Sequence, residues 1–381
     1  MKRSNRRHFL RTASGLLLSP VVLSCGTSAG PTEAEEQQRT DSPQADTSGS
    51  ANQANQKIGV ALVGLGYYSR DLLAPALQLT EFCELRGIVT GTPEKARRWQ
   101  ERYDIPSDNV YNYENFDRIA ENPDIDVVYV VVPTGLHAEY AIRAAQAGKH
   151  VWCEKPMAMN VAECQSIIDA CEEAGVQLTI GYRMQHEPLT QEVMRLAATK
   201  PYGAIKSLRA EAGYGGSGNG SGWRFDPNLG GGALYDMGVY SINALRYASG
   251  IEPIAVRNVQ QYVPDQVDLT TSFELVFPGG LIGYGWTSVV EGRNRLRVDC
   301  EEGWYELSPF QQYTNIAARS SDNREFPPTV PNQQAVQMDH DALALRGEAP
   351  ILVPGIEGLR DIAIVNAILE SAKTGTEISL D

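Results

Sequence analysis

Between residues 57 and 185, short apolar runs alternate with longer stretches of helical spacing. "KIGVALV", "CELRGIVT", "DIDVVYVVV", "KHVWC" and "VQLTIGY" are nearly continuous in branched and aromatic residues. Such runs predict strands buried on both faces, as in a parallel sheet. The stretches between them, among them "AEYAIRAAQAG" and "VAECQSIIDACEEAG", repeat apolar residues at helical spacing and end on glycine. This alternation predicts a doubly wound sheet with helices on both faces. Near residue 187 the rhythm changes. "IAVRNVQQYV", "DLTTSFELVF", "GLIGYGWTSVV" and "NRLRVDCEEGWYEL" follow one another without intervening helices, and "FPGGLI" is a hairpin signal. The expected fold class is α/β: a Rossmann dinucleotide-binding domain over 57–185, then an α+β domain over 186–381 with a mainly antiparallel open sheet. The helical stretch "GLRDIAIVNAILESAKTG" is expected to pack back on the first domain.

Residues 1–24 combine a basic head with the apolar "ASGLLLSPVVLS". Arg6-Arg7 followed by Phe9-Leu10 fits a twin-arginine export signal, which implies a periplasmic destination. "VLSC" resembles a lipoprotein cleavage box and makes Cys25 a candidate for lipidation, with simple cleavage as the alternative. Residues 25–56 are too polar to build a core and read as a flexible tether. The net charge is −14, and the five positive charges of the first 24 residues leave −19 for the rest. That balance argues against nucleic acid or an anionic bilayer as partner. No His/Asp/Glu cluster has metal-ligand spacing.

Candidate chemistry collects at the expected strand ends. Gly64 and Gly66 follow the first strand and open a helix, the arrangement that lets a backbone approach a pyrophosphate; Tyr68 and Ser69 complete the turn. The second strand ends on Thr90 rather than on the acid usual for NAD. Lys95, Arg97 and Arg98 follow, although the two arginines also suit a solvated helix face. A hydroxyl and a nearby cation suit the 2′-phosphate of NADP. Pro133, Thr134, His137, Glu154, Lys155, Tyr182 and Arg183 fall at later strand ends, where ligands of such sheets bind.

"CEKPMAMN", "VVPTGLHAEYAIRAAQAGKHV" and "GGGALYDMGVYSINALRY" resemble the glucose–fructose oxidoreductase/inositol dehydrogenase (Gfo/Idh/MocA) family over nearly the whole chain from Lys57. "GLGYYS", "TGTPEKA", "IGYR" and "WRFDPNLGGGALYDMGVY" are most similar to its glucose–fructose oxidoreductase branch. The resemblance implies NADP as cofactor, sugars as substrates, and a homo-oligomer, dimer or tetramer, built through the second sheet. It implies that Lys155, Asp236 and Tyr240 are catalytic. It also implies that Pro133, Thr134, His137, Glu154 and Arg183 line the cofactor, and that Tyr182, Arg183, Trp223 and Arg224 line the sugar pocket. Asp236 and Tyr240 stand four apart, on one helical face. A free tyrosine titrates near pKa ~10, so it needs a cation such as Lys155 to serve as a base.

The expected activity is an exported, NADP-dependent sugar oxidoreductase. It oxidises an aldose at C1 to the lactone and reduces a second sugar carbonyl in a ping-pong cycle. The twin-arginine route carries folded proteins, so a tightly held cofactor can travel within the fold. The alternatives are an NAD(P)-dependent glycoside hydrolase, an aldose dehydrogenase with exchangeable cofactor, and a sugar-binding protein with a vestigial cofactor site.

Overall fold

The computed structural model describes residues 56–216 and 222–380. The expected export signal, the tether up to residue 55 and the lipidation candidate Cys25 lie outside the described residues.

The first sheet holds β1 (Ile58–Val63), β2 (Cys83–Val89), β3 (Val110–Tyr111), β4 (Val127–Val130), β5 (His150–Cys153) and β6 (Leu178–Ile180). Their order is β3-β2-β1-β4-β5-β6, parallel throughout. The order reverses between β1 and β4, and the crevice beyond their carboxyl ends is the ligand position of such sheets. Eight helices follow in chain order among the described residues: α1 (Ala74–Leu77), α2 (Pro93–Tyr103), α3 (His137–Gln146), α4 (Val161–Ala174), α5 (Pro188–Thr199), α6 (Val239–Ser249), α7 (Gln333–Leu345) and α8 (Gly355–Thr374).

Because β1 and β4 are apolar on both sides, each face needs a cover. On one face Ala141 and Ala144 of α3 and Ile167 and Cys171 of α4 pack with Val128 and Val130. On the other, Leu73, Ala76 and Trp99 pack with Val60, Leu62 and Tyr129. Ala335, Met338 and Ala342 of α7 complete that second cover. A helix from beyond the second sheet thus closes the first domain, which the split at residue 186 does not anticipate. α8 also packs against the first domain, where the Asn366 side chain donates to the Met159 carbonyl at 3.4 Å.

The second sheet contains β7 (Ile205–Gly213), β8 (Ala255–Tyr262), β9 (Thr270–Val276), β10 (Ile282–Ser288), β11 (Arg293–Cys300), β12 (Trp304–Leu307), β13 (Ala318–Ser320) and β14 (Ile378–Ser379). Its order is β13-β12-β11-β7-β10-β9-β8-β14. Only β7 and β10 pair in parallel; every other pairing is antiparallel. The "FPGGLI" hairpin joins β9 to β10, with positive φ at Gly279 and Gly280.

α6 lies across the inner face of this sheet. The Ser241 hydroxyl donates to the Trp286 carbonyl at 2.9 Å, and the Thr287 hydroxyl to the Ala233 carbonyl at 3.0 Å. Behind α6, Arg246 is buried among three carboxylates: Asp361 (2.7 Å), Glu252 (2.6 Å) and Glu357 (3.0 Å). Asn243 adds a bond to Asp361 at 2.9 Å. This network joins α6 to α8 and sets the helix on which Tyr240 stands.

Candidate active site

The turn after β1 has the geometry of a dinucleotide cradle. Gly64 adopts φ +93°, and a Cβ there would lie 2.9 Å from the Val131 carbonyl oxygen. Glycine therefore allows β1 and the chain after β4 to close together. A Cβ on Gly66 would meet nothing within 4 Å, so that backbone is open to a ligand. Ser69 is buried, and its hydroxyl donates to the Gly64 carbonyl at 2.5 Å. The third fingerprint position thus ties the helix start to the turn where glycine or alanine would only pack.

At the end of β2, Thr90 is buried and its hydroxyl oxygen accepts from the Thr92 N–H at 3.3 Å. Arg97 pairs with Glu101 and Arg98 with Glu94 along the exposed face of α2, so both belong to a solvated helix surface. Lys95 is exposed and has no ion pair among the described residues. A cradle at Gly64–Gly66, no acid at the β2 end and an unpaired lysine beside it fit a dinucleotide carrying a 2′-phosphate.

At the end of β4, Pro133 leads into Thr134, which is buried against the second half of the chain. A Cβ on Gly230 would lie 2.6 Å from the Thr134 Cβ, so the segment that carries Trp223 and Arg224 closes onto this strand end. His137 starts α3 with its ring nitrogens 2.8 Å from the carbonyl oxygens of Val132 and Pro156. It brackets the loops after β4 and β5. Glu154 is buried and accepts from the Tyr129 hydroxyl at 2.7 Å. Burial pushes its carboxyl up to about 7, against the opposing pull of the Tyr129 hydroxyl and the Lys155 and Arg183 charges.

Lys155 follows at once and reaches the second domain. Its ammonium donates to the main-chain carbonyl of Asp236 at 2.9 Å and stands 4.2 Å from the Tyr240 ring centroid. Both partners lie where α6 begins: Asp236 in a wide helical turn over Leu234–Gly238, Tyr240 in the first turn of α6. The Asp268 carboxylate anchors this start by accepting from the Leu234 N–H at 3.0 Å. Gly232, at φ +106°, makes room for it, since a Cβ there would fall 2.2 Å from Asp268 Oδ1. That is the local reason for the glycine run.

The Asp236 carboxylate has partners other than Lys155. It accepts from the Tyr214 hydroxyl at 3.0 Å and from Arg224 Nε at 2.9 Å. The Arg224 guanidinium also stacks 4.5 Å from the Trp223 ring. Lys155, Asp236, Tyr240, Arg224 and Trp223 therefore form one connected group at the crevice.

Two residues depart from expectation. Tyr182 is buried in the core beside Asp361 and Arg246, and burial raises its phenol well above the usual range. Its side chain belongs to the buried Asp361–Arg246 network. Arg183, expected at the cofactor, is buried and committed elsewhere. It donates to the main-chain carbonyls of Gln311 and Gln312 and to the Gln333 side chain. Its cation lies 5.6 Å from the Tyr240 ring centroid and 4.5 Å from that of Tyr313. A guanidinium held this way supports the site from behind.

Sequence reasoning missed Tyr214, Tyr313 and the glutamines of α7. Gln334 donates to the Tyr68 hydroxyl at 3.5 Å, and Gln337 to that of Tyr129 at 3.2 Å. The paired Gln333-Gln334 at a helix start is the only local hint, and it does not reveal the partners.

A family model described as "Oxidoreductase family, NAD-binding Rossmann fold" matches residues 58–182, and the GFO/IDH/MocA C-terminal domain model matches 190–306. An uncharacterized oxidoreductase of Rhizobium meliloti, ORF334, is 30% identical over 343 residues, covering 84% of this chain and 98% of that protein. The D-xylose 1-dehydrogenase [NADP(+)] of Haloarcula marismortui is 26% identical over 358 residues, covering 85% and 93%. Among solved structures, the aldose-aldose oxidoreductase of Caulobacter crescentus, complexed with glycerol, superposes with a TM-score of 0.81 at 38% identity. It covers 85% of this chain and 100% of that one. With both domain models matched in order and a relative aligned along almost its whole length, the chain belongs to the Gfo/Idh/MocA oxidoreductase family.

Proposed function

We propose that the protein is an exported sugar oxidoreductase that keeps NADP within its fold, oxidises an aldose at C1 to the lactone and reduces a second sugar carbonyl. The observation that carries this reading is the Lys155 ammonium, held between the Asp236 carbonyl and the Tyr240 ring at the mouth of the dinucleotide crevice. Gly64, Gly66 and the α1-side turn would hold the pyrophosphate, and Thr90 with Lys95 the 2′-phosphate. Bound NADP supplies the hydride acceptor.

The remaining chemistry belongs to the chain. The Tyr240 phenol oxygen takes the proton of the C1 hydroxyl as that carbon is oxidised, and returns it to the carbonyl oxygen of the second sugar. Lys155 and Arg183 present positive charge to the Tyr240 ring while this proton moves. Trp223 offers a stacking face to a pyranose, and the Arg224–Asp236–Tyr214 group offers hydrogen bonds to sugar hydroxyls. No net electron leaves the pair of half-reactions, so a compartment without soluble NADP(H) suffices.

The twin-arginine segment and the polar tether support a periplasmic location, with Cys25 as a lipid anchor. The outer face of the second sheet supports a homo-oligomer. There Tyr284, Trp286 and Trp304 stack under Arg209, Arg293 and Arg297. Glu306 carries Arg295, Arg297 and Arg319 beside them. Alternating cations and acids of this kind make a face that can pair with its own copy.

The likeness to the D-xylose 1-dehydrogenase [NADP(+)] of Haloarcula marismortui favours a second reading, a dehydrogenase with exchangeable cofactor. Mass spectrometry of small molecules released from the purified, exhaustively dialysed protein separates the two. About one NADP(H) per chain is expected. A cofactor-free protein, or one loaded with NAD, contradicts the proposal.

A further inference from the structure

The segment between β12 and β13 has no role in the chemistry above, yet it is tied down more firmly than a connecting loop requires. Arg183 is 1% exposed and grips this segment through the carbonyls of Gln311 and Gln312, with Gln333 as a further acceptor. The Tyr313 ring lies over the same guanidinium, 4.5 Å from ring centroid to cation. The same ring meets Tyr68, with centroids 6.2 Å apart and planes tilted by 42°. This is within the range of an attractive aromatic pair.

Tyr68 belongs to the turn that follows Gly64 and Gly66. Gln334, one residue beyond the Arg183 acceptor, reaches its hydroxyl. A segment that links two strands of the second sheet therefore touches the dinucleotide turn through Tyr313. The contact serves neither sheet, because both tyrosines lie outside the strands. It ties the turn after β1 to the Arg183-held segment of the second domain.

We propose that Tyr313 is a cofactor-retaining residue, its ring latched against Tyr68 across the dinucleotide crevice, and that Arg183 is the positioning residue that holds it there. The inference rests on the reading that the crevice takes NADP, and not on that cofactor being permanently held. The latch acts on escape: the turn cannot open without parting the Tyr68 ring from a Tyr313 ring that Arg183 holds in place. Its signature is therefore the dissociation rate.

The test uses the full chain loaded with NADPH, chased with excess NADP+, with release followed as loss of protein-enhanced NADPH fluorescence. Tyr313→Ala is expected to release NADPH about tenfold faster, the order set by one aromatic pair and one cation–π contact. Tyr313→Phe keeps the ring and is expected to stay within about twofold of the unsubstituted protein. Arg183→Gln speeds release, and adding Tyr313→Ala to it brings no further acceleration, because the two act as one unit. Release from Tyr313→Ala within about twofold of the unsubstituted protein overturns the latch, as does Tyr313→Phe releasing as fast as Tyr313→Ala. Additive acceleration in the double variant overturns the role of Arg183. The ratios are read after loading, so a protein purified without cofactor would refute the tight-cofactor reading and leave the latch measurable.

Discussion

Lys155→Ala is expected to lower turnover by roughly 10²–10⁴-fold, the range for losing a group that assists proton transfer. Lys155 joins the loop after β5 to the start of α6 through both Asp236 and Tyr240. Its removal takes the cation from the Tyr240 ring and frees the Asp236 carbonyl. Tyr240→Phe is expected to fall in the same range, because it deletes the oxygen that carries the proton and keeps the ring under the ammonium. The two losses should not add, since each disables the same proton transfer. Cofactor content should remain at the unsubstituted level in both, because neither residue belongs to the Gly64–Gly66 cradle. Turnover above about a tenth of the unsubstituted rate in either variant contradicts these assignments.

Arg246→Ala carries the largest expected effect on stability. Its guanidinium is 3% exposed, and its partner Asp361 is 0% exposed. Deleting the cation leaves the Asp361 carboxylate buried with Asn243 and the Tyr182 side. Breaking a buried pair from one end costs about 3–5 kcal/mol, which corresponds to a fall of roughly 10 °C in Tm. Arg97→Ala is the control. It removes an exposed helix-surface pair and should change stability by no more than about 0.5 kcal/mol. Thermal unfolding of the two variants checks the contrast, and equal effects would contradict it. The network also fixes Tyr182, whose neighbour Arg183 holds Tyr313, so its loss should loosen the crevice as well.

The fold was readable wherever a local rule governed it. Strands buried on both faces must be apolar throughout, so β1, β4 and β5 announced themselves, and the β9–β10 hairpin was marked by glycines that take positive φ. The central chemical group was readable because strand ends, a glycine run and helical spacing brought Lys155, Asp236 and Tyr240 toward one crevice. What escaped depends on contacts between residues far apart in the chain. Tyr313 lies in an irregular segment without periodicity, and α7 covers a sheet whose strands end more than a hundred residues earlier. Arg183 illustrates the limit. A cation at a strand end suggests an anionic ligand, and only packing reveals that carbonyls of another domain have claimed it. The side chains of Tyr182 and Arg183 part company for the same reason, one toward Asp361 and the other toward the Gln311–Gln312 segment.

Asp236 adds a related lesson. It stands four residues before Tyr240, but within an i→i+5 turn, and its carboxylate meets Tyr214 and Arg224. Lys155 meets the main chain of this residue in place of its side chain. The acid accordingly reads as part of the sugar-facing group rather than as the lysine's partner.

On the proposed function, the redox cycle closes around Lys155 and Tyr240 with a cofactor that stays in place. The most direct measurement is the product balance when purified protein is given two different aldoses and no added cofactor. Lactone (or its aldonate) and alditol are expected to form in equal amounts, far in excess of the enzyme present. Oxidised sugar that appears only when NADP+ is supplied, with no matching alditol, would contradict it.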